Sequence, residues 1–274
     1  PERWMEIADN AGPFRLALGL CAAAAIVALG SRIAALGFAY SRDEAMAEFD
    51  TAMLSTGHLL ARIPPEWQAY AAAMQPEFRL PVPGDVAWVS SYLPVNAAIR
   101  AALGLVLSPP LVNAALMLAA LAGLLGVARL LWPSRPDAWT IAVLLLATSS
   151  QALFMAMTPY AMSAHLALNL VWLWLFLRDT RASHAAAMII GFLACGLHQV
   201  VFHPLFVAPF LLQAVLSRRW TLAGFYGAGY AASSLFWILY WQLLLGWYGI
   251  APQAGGAAGV GEFDALAIAR VLPN

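Results

Sequence analysis

Long apolar runs separated by short polar breaks organise this chain. A helix crossing the roughly 30 Å hydrocarbon core of a bilayer needs about 20 mostly apolar residues. On that rule the pattern predicts seven spans. They run over Leu16–Tyr40 (interrupted by Ser31 and Arg32), Leu111–Leu131, Ala138–Met157, Ala164–Leu177, Ala185–Val201, Pro204–Leu216 and Thr221–Trp247. The fourth, fifth and sixth are short for the task. The expected fold class is an all-α polytopic membrane protein with one membrane domain over residues 1–274.

The exception to the apolar pattern is Ser41–Pro110, a long first loop. It carries Asp43, Glu44, Glu48, Asp50, Glu66, Glu77 and Asp85, half of the 14 acidic residues. Pro64, Pro65, Pro76, Pro81, Pro83 and Pro94 divide it into short pieces. Within it, Val95–Leu107 is apolar but too short to cross and contains Arg100, so it reads as a juxtamembrane helix lying at the surface or interface. Residues 248–274 read as an external tail that continues in a longer parent.

Composition strengthens the membrane reading. Of 274 residues 62% are hydrophobic and 10% charged, against about 45–50% and 25% in soluble domains. All 14 basic residues are arginine, net charge is zero, and no nucleic-acid partner is indicated. Cys21 and Cys195 sit inside apolar runs and form neither a disulfide framework nor a zinc motif. No cleavable signal peptide is evident.

Charge also orients the spans. Arg3 and Arg15, Arg129 and Arg135, Arg178 and Arg181, and Arg218 and Arg219 all fall on one side if seven spans are counted. By the positive-inside rule that side is cytoplasmic. The long loop, the Thr158–Ser163 turn and the Phe202–Pro204 turn then face outward. The expected location is a bacterial inner membrane, with the long loop toward the periplasm.

Candidate chemistry gathers on the outer side. Ser41-Arg42-Asp43-Glu44 follows the first span, where a carboxylate facing a partly dry cavity can take a proton from an attacking hydroxyl or amine. The plain alternative is a solvated loop. His198, Gln199 and His203 lie at the end of the fifth span and the start of the sixth. Imidazoles or a helix start there suit phosphate better than zinc, and inter-helix hydrogen bonding is the plain alternative. Tyr160 and His165 are placed to line the same cavity, and an interfacial turn with an aromatic anchor is the plain alternative. Arg42 and Arg100 are alternative phosphate partners, with ordinary surface arginines as the plain alternative. No metal site is nominated, although a divalent ion is compatible with these residues, and no cofactor is called for.

One span, then Asp43-Glu44, then a long external loop resembles the GT-C membrane glycosyltransferases. The likeness is to the branch of protein O-mannosyltransferases and the lipid A aminoarabinose transferase, which is glycosyltransferase family 39-like. Phe49, Gly57-His58-Leu59, Ser91-Tyr92-Leu93-Pro94 and the Tyr160–Arg178 segment with Trp172-Leu173-Trp174-Leu175-Phe176-Leu177 carry the likeness further, over Leu16–Trp220. Leu93 departs from the Tyr-Pro-Pro of many relatives, and His198–Pro204 stands where many carry an arginine motif. The resemblance implies an N-terminal membrane portion of a transferase. It implies a polyprenyl-phosphate sugar donor and a lipid, glycan or protein acceptor. Asp43 would be the base, with Glu44 beside it, while His198, Gln199 and His203 would hold the donor. Competing readings are a lipid or solute carrier, which requires broken helices, and a scaffold subunit without chemistry.

Overall fold

The computed structural model describes residues 2–33, 39–74 and 78–250, with side chains from Leu16 onward. Among the described residues the protein is predominantly helical. Helix α1 (Glu2–Ile33) leads to the loop helix α2 (Arg42–Ser55). Strand β1 (Ala61–Arg62), the single turns α3 (Pro65–Gln68) and α4 (Ala71–Met74), β2 (Arg79–Pro81), β3 (Ala87–Ser90) and α5 (Val95–Gly104) complete the loop. Seven further helices follow: α6 (Pro109–Leu131), α7 (Pro136–Ala147), α8 (Ser150–Ala156), α9 (Ala161–Leu177), α10 (Arg181–Cys195), α11 (Phe202–Leu216) and α12 (Trp220–Trp247).

Among the described residues three helices are long and apolar enough to cross a bilayer: the Leu16–Ile33 part of α1, α6 and α12. The run expected as one span over Ala138–Met157 is instead α7 and α8, bent by 57°. The break has local causes. Thr148 turns its hydroxyl back to the Leu144 carbonyl at 2.7 Å, and Ser149 accepts the Ala152 N–H at 3.3 Å to start a new helix. Helices α9, α10 and α11 have 17, 15 and 15 residues, shorter than the usual crossing length. Of the expected first span, residues 34–38 lie outside the described residues, as do residues 251–274 of the expected tail.

The all-α expectation needs one amendment. The loop holds a three-stranded antiparallel sheet in the order β1-β3-β2. A tight turn at Pro83-Gly84-Asp85 joins β2 to β3, with φ of 84° at Gly84 and 53° at Asp85. Glycine and aspartate tolerate that backbone best, and Val82 donates its N–H to Ala87 O at 2.9 Å across the turn.

Two apolar clusters hold the helices together. Val27 of α1 packs with Met117 and Leu121 of α6 and Val143 of α7. Around Trp172 of α9 gather Val207 of α11 and Tyr226, Tyr230 and Trp237 of α12, together with Val89 of the sheet. Helices α6 and α9 join the clusters at close range. A Cβ on Gly123 would stand 2.9 Å from the Val171 backbone nitrogen, so only glycine permits this approach.

From α9 to α12 consecutive helices reverse direction, so this part of the bundle has two polar ends. One gathers the start of α9, the end of α10 and the loop helices α2 and α5. The other gathers the end of α9, the start of α10 and the start of α12. The 17 residues of α9 separate them by about 25 Å at 1.5 Å per residue.

Candidate functional site

The first polar end is built on α2. Ser41 caps this helix, its Oγ accepting the Glu44 N–H at 3.2 Å. The Glu44 carboxylate reaches back to accept the Tyr40 N–H at 2.8 Å. This reciprocal arrangement is a variant of the capping box, and it places the buried Glu44 in a structural role. Ser41 also shares a 2.5 Å hydrogen bond with the Tyr160 hydroxyl, tying the start of α2 to the start of α9.

With Glu44 turned to the helix end, Asp43 faces a narrow cleft. Tyr92, just after β3, donates its hydroxyl to Asp43 Oδ1. Tyr160, His198 and Asn96 line the same cleft, as does Asp50, seven residues further along α2. The cleft holds about 20 Å³, room for roughly one water. Burial, then the hydrogen bond to Asp43, pushes the Tyr92 phenol far above its usual range. It therefore stays protonated and keeps donating. The Asp43 carboxylate is also the charge that faces His198, whose ring lies 4.5 Å from that of Tyr92.

Asp50 was not among the residues expected to carry chemistry. Its Oδ2 accepts the Ser90 hydroxyl at 2.7 Å, while Oδ1 is buried and unpartnered among the described residues. Burial raises its pKa to about 7, against the opposing Ser90 hydrogen bond and the Arg79 charge. A signal existed in the sequence. Residues seven apart share a helix face, so Asp43 and Asp50 were a better pair than Glu44 and Glu48, of which the second is exposed.

The cleft rests on a buried polar network. Arg100 of α5 is 6% exposed. It donates to Asn113 Oδ1 at 2.8 Å and to the Thr158 carbonyl at 3.2 Å. Asn113 donates in turn to Ser31 Oγ at 2.9 Å and to the Met157 carbonyl at 3.1 Å. Asn96 donates to the Pro159 carbonyl at 3.2 Å, and the Val95 N–H to Gly196 O at 3.1 Å. A Cβ on Gly196 would lie 2.5 Å from Trp237 and 2.6 Å from Val95. Burial lowers the Arg100 pKa to about 10, and Glu48 is the acid that opposes this. Expected as a surface arginine or phosphate partner, Arg100 instead locks α1, α5, α6 and the α8–α9 turn together.

The histidines separate into two kinds. His203 is fully buried, with Nδ1 at 2.7 Å from Asn169 Oδ1 and Nε2 at 2.9 Å from the Tyr230 hydroxyl. Both ring nitrogens are used, and the ring packs against Trp172 and Phe206. His203 is a core residue and does not line the cleft. His198 does, and its Nδ1 is buried without a partner among the described residues. His165 Nε2 is in the same condition. The two rings flank Phe202, at centroid distances of 6.1 and 5.9 Å. Gln199 shapes the α10–α11 turn, its carbonyl accepting the Phe202 N–H at 3.4 Å. Arg42 is exposed in the first turn of α2. Among the described residues no group of three His, Cys, Asp or Glu side chains is placed to hold a metal ion.

Compared with protein families, curated proteins and solved structures, the chain finds no match.

Proposed function

We propose that this chain is the membrane portion of a glycosyltransferase. It would use a polyprenyl-phosphate sugar as donor and a lipid, glycan or protein acceptor. The observation that carries the reading is the cleft itself. Asp43 is held by the Tyr92 hydroxyl and faces His198, while Tyr160 and the orphaned His198 Nδ1 line the same space. In this reading the acceptor oxygen attacks the anomeric carbon and its proton passes to Asp43. The bond from that carbon to the lipid phosphate breaks, and the phosphate leaves with the electron pair. Glu44 caps the helix rather than taking part. His198 and His165 are the imidazoles available to the donor, whereas His203 supports them from the core. A sugar exceeds the present cleft, so Tyr160 and Tyr92 must move aside when substrates enter. In this reading the chain crosses seven times, with the cleft outside and the arginines in the cytoplasm of a bacterium.

The test is transfer of labelled sugar from a polyprenyl-phosphate donor in membranes holding the protein, wild type beside Asp43→Asn. Label moved by wild type and not by the variant, at equal protein level, supports the assignment. Full activity in the variant removes Asp43 from the mechanism.

A second reading has one observation of its own. The α7–α8 break is the kind of discontinuous helix that carriers place at their binding sites, and Ser149 and Gln151 beside it line a cavity of about 270 Å³. Substrate movement across sealed vesicles without sugar transfer would favour that reading.

A further inference from the structure

The second polar end holds a larger cavity, of about 650 Å³, that the proposed transfer does not use. Its rim is basic: Arg181 opens α10, and Arg218 and Arg219 close the α11–α12 turn. One acid, Asp179, stands among them and is already engaged. It meets Arg219 at 2.5 Å and His184 Nε2 at 2.9 Å, and His184 Nδ1 takes the Tyr226 hydroxyl at 2.9 Å. Among the described residues neither Arg181 nor Arg218 has an acidic partner. The rim therefore keeps an excess of positive charge.

Local backbone preference adds to the case. Arg218 follows the end of α11 with φ of 57°, and its N–H reaches the Val215 carbonyl at 2.9 Å. This is the left-handed position after a helix that glycine fills best. An arginine in that conformation is less stable than a glycine would be. Among the described residues the start of α12 has no side-chain cap, and its first residues line the same cavity.

The rest of the cavity is apolar. Phe225 and Leu222 form its floor, and Trp220, 63% exposed, stands at the edge as aromatic anchors do at a membrane interface. From Trp220 an exposed face of α12 continues through Gly224, Gly227 and Ala231. Among the described residues no heavy atom lies within 4 Å of where a Cβ on either glycine would be. A charged rim thus stands beside an exposed face of small residues on one of the three membrane-crossing candidates. Water-soluble anions have no use for that face, whereas an acyl chain fits along it.

We propose that this cavity binds an anionic phospholipid. The headgroup phosphate lies between Arg181 and Arg218, and an acyl chain runs along the Gly224–Gly227 face of α12. The inference depends only on α12 lying in a membrane and is independent of the transfer chemistry.

Native mass spectrometry of the delipidated protein in detergent tests it. Phosphatidylglycerol, phosphatidylcholine and inorganic phosphate are added to wild type, to Arg181→Gln with Arg218→Gly, and to Arg181→Lys with Arg218→Lys. Wild type should retain phosphatidylglycerol in preference to phosphatidylcholine. The Gln/Gly variant should bind it about tenfold or more weakly, as expected for two basic contacts to a headgroup. The Lys/Lys variant should bind close to wild type. Glycine suits the Arg218 backbone, so the Gln/Gly variant should melt no lower than wild type, which separates lost binding from misfolding. Undiminished binding in that variant, or equal retention of phosphatidylcholine, would overturn the proposal. Displacement of the lipid by equimolar inorganic phosphate would overturn the acyl-chain part of it.

Discussion

The two polar ends of this bundle place similar numbers of polar side chains in opposite physical situations. At the cleft end they are buried or half-buried, and several are answered by a particular protein atom: Tyr92 by Asp43, Arg100 by Asn113 and Thr158, Asn96 by Pro159. At the arginine end they are exposed and come from two short turns, 178–181 and 217–220. An unmet polar group in a low-dielectric interior costs far more than one that water can reach. Identity should therefore matter residue by residue at the cleft, while at the arginine end charge of one sign is what counts.

The largest contrast should appear in catalysis. Asp43→Asn should lower transfer by about 100-fold or more, the usual effect of losing a general base, with the protein still folded. Arg181→Gln, about 25 Å away along α9, should leave transfer within about twofold, measured in the same membranes. Equal losses at both ends would dissolve the distinction.

Stability should separate the ends next. Arg100→Ala strands Asn113 Oδ1 and the Thr158 carbonyl, and a buried acceptor left unpaired costs about 1–3 kcal/mol. Denaturant unfolding in detergent should show a loss of about 2–6 kcal/mol for the two. Arg135→Ala breaks a 2.7 Å ion pair with Asp137 that is fully in solvent, and should leave the unfolding midpoint unmoved.

The buried carboxyl gives a pH signature. Folding raises the Asp50 pKa from 3.8 to about 7, so between those values the folded state holds a proton that the unfolded state has released. Stability from this group is complete below about pH 4, falls as pH rises toward 7, and is flat above it. Asp50→Asn should remove that slope, read from melting temperatures across pH 4–8. An unchanged slope would show that Asp50 is not the group responsible.

The smallest effect distinguishes neighbours. Glu44→Ala should cost about 1 kcal/mol as a lost helix-terminal contact and reduce transfer much less than Asp43→Asn. If the two substitutions prove equally damaging to transfer, the capping role is incomplete.

Legibility in the sequence follows the same division. The helical class, the long polar loop and the arginine turns were readable because hydropathy and charge are properties of adjacent residues. Two local features were also readable and were not read as such. Ser41-x-x-Glu44 is the sequence form of a capping box, and Pro83-Gly84-Asp85 marks the hairpin turn between β2 and β3. The α7–α8 break was hidden inside an apolar run, because only the Thr148 and Ser149 hydroxyls announce it.

By itself, then, the sequence determined a chain of apolar helices around one polar loop, with arginines collected in alternate turns and an acid at the start of α2. Tertiary structure decided which polar groups meet. Tyr92 reaches Asp43 across 49 residues, and Tyr160 reaches Ser41 across 119. It also decided that His203 is a core residue while His198 faces the cleft, and that Arg100 is buried among Asn113 and Thr158. The reason is physical: burial and partnership depend on which distant segments pack together, and no local run of residues carries that information.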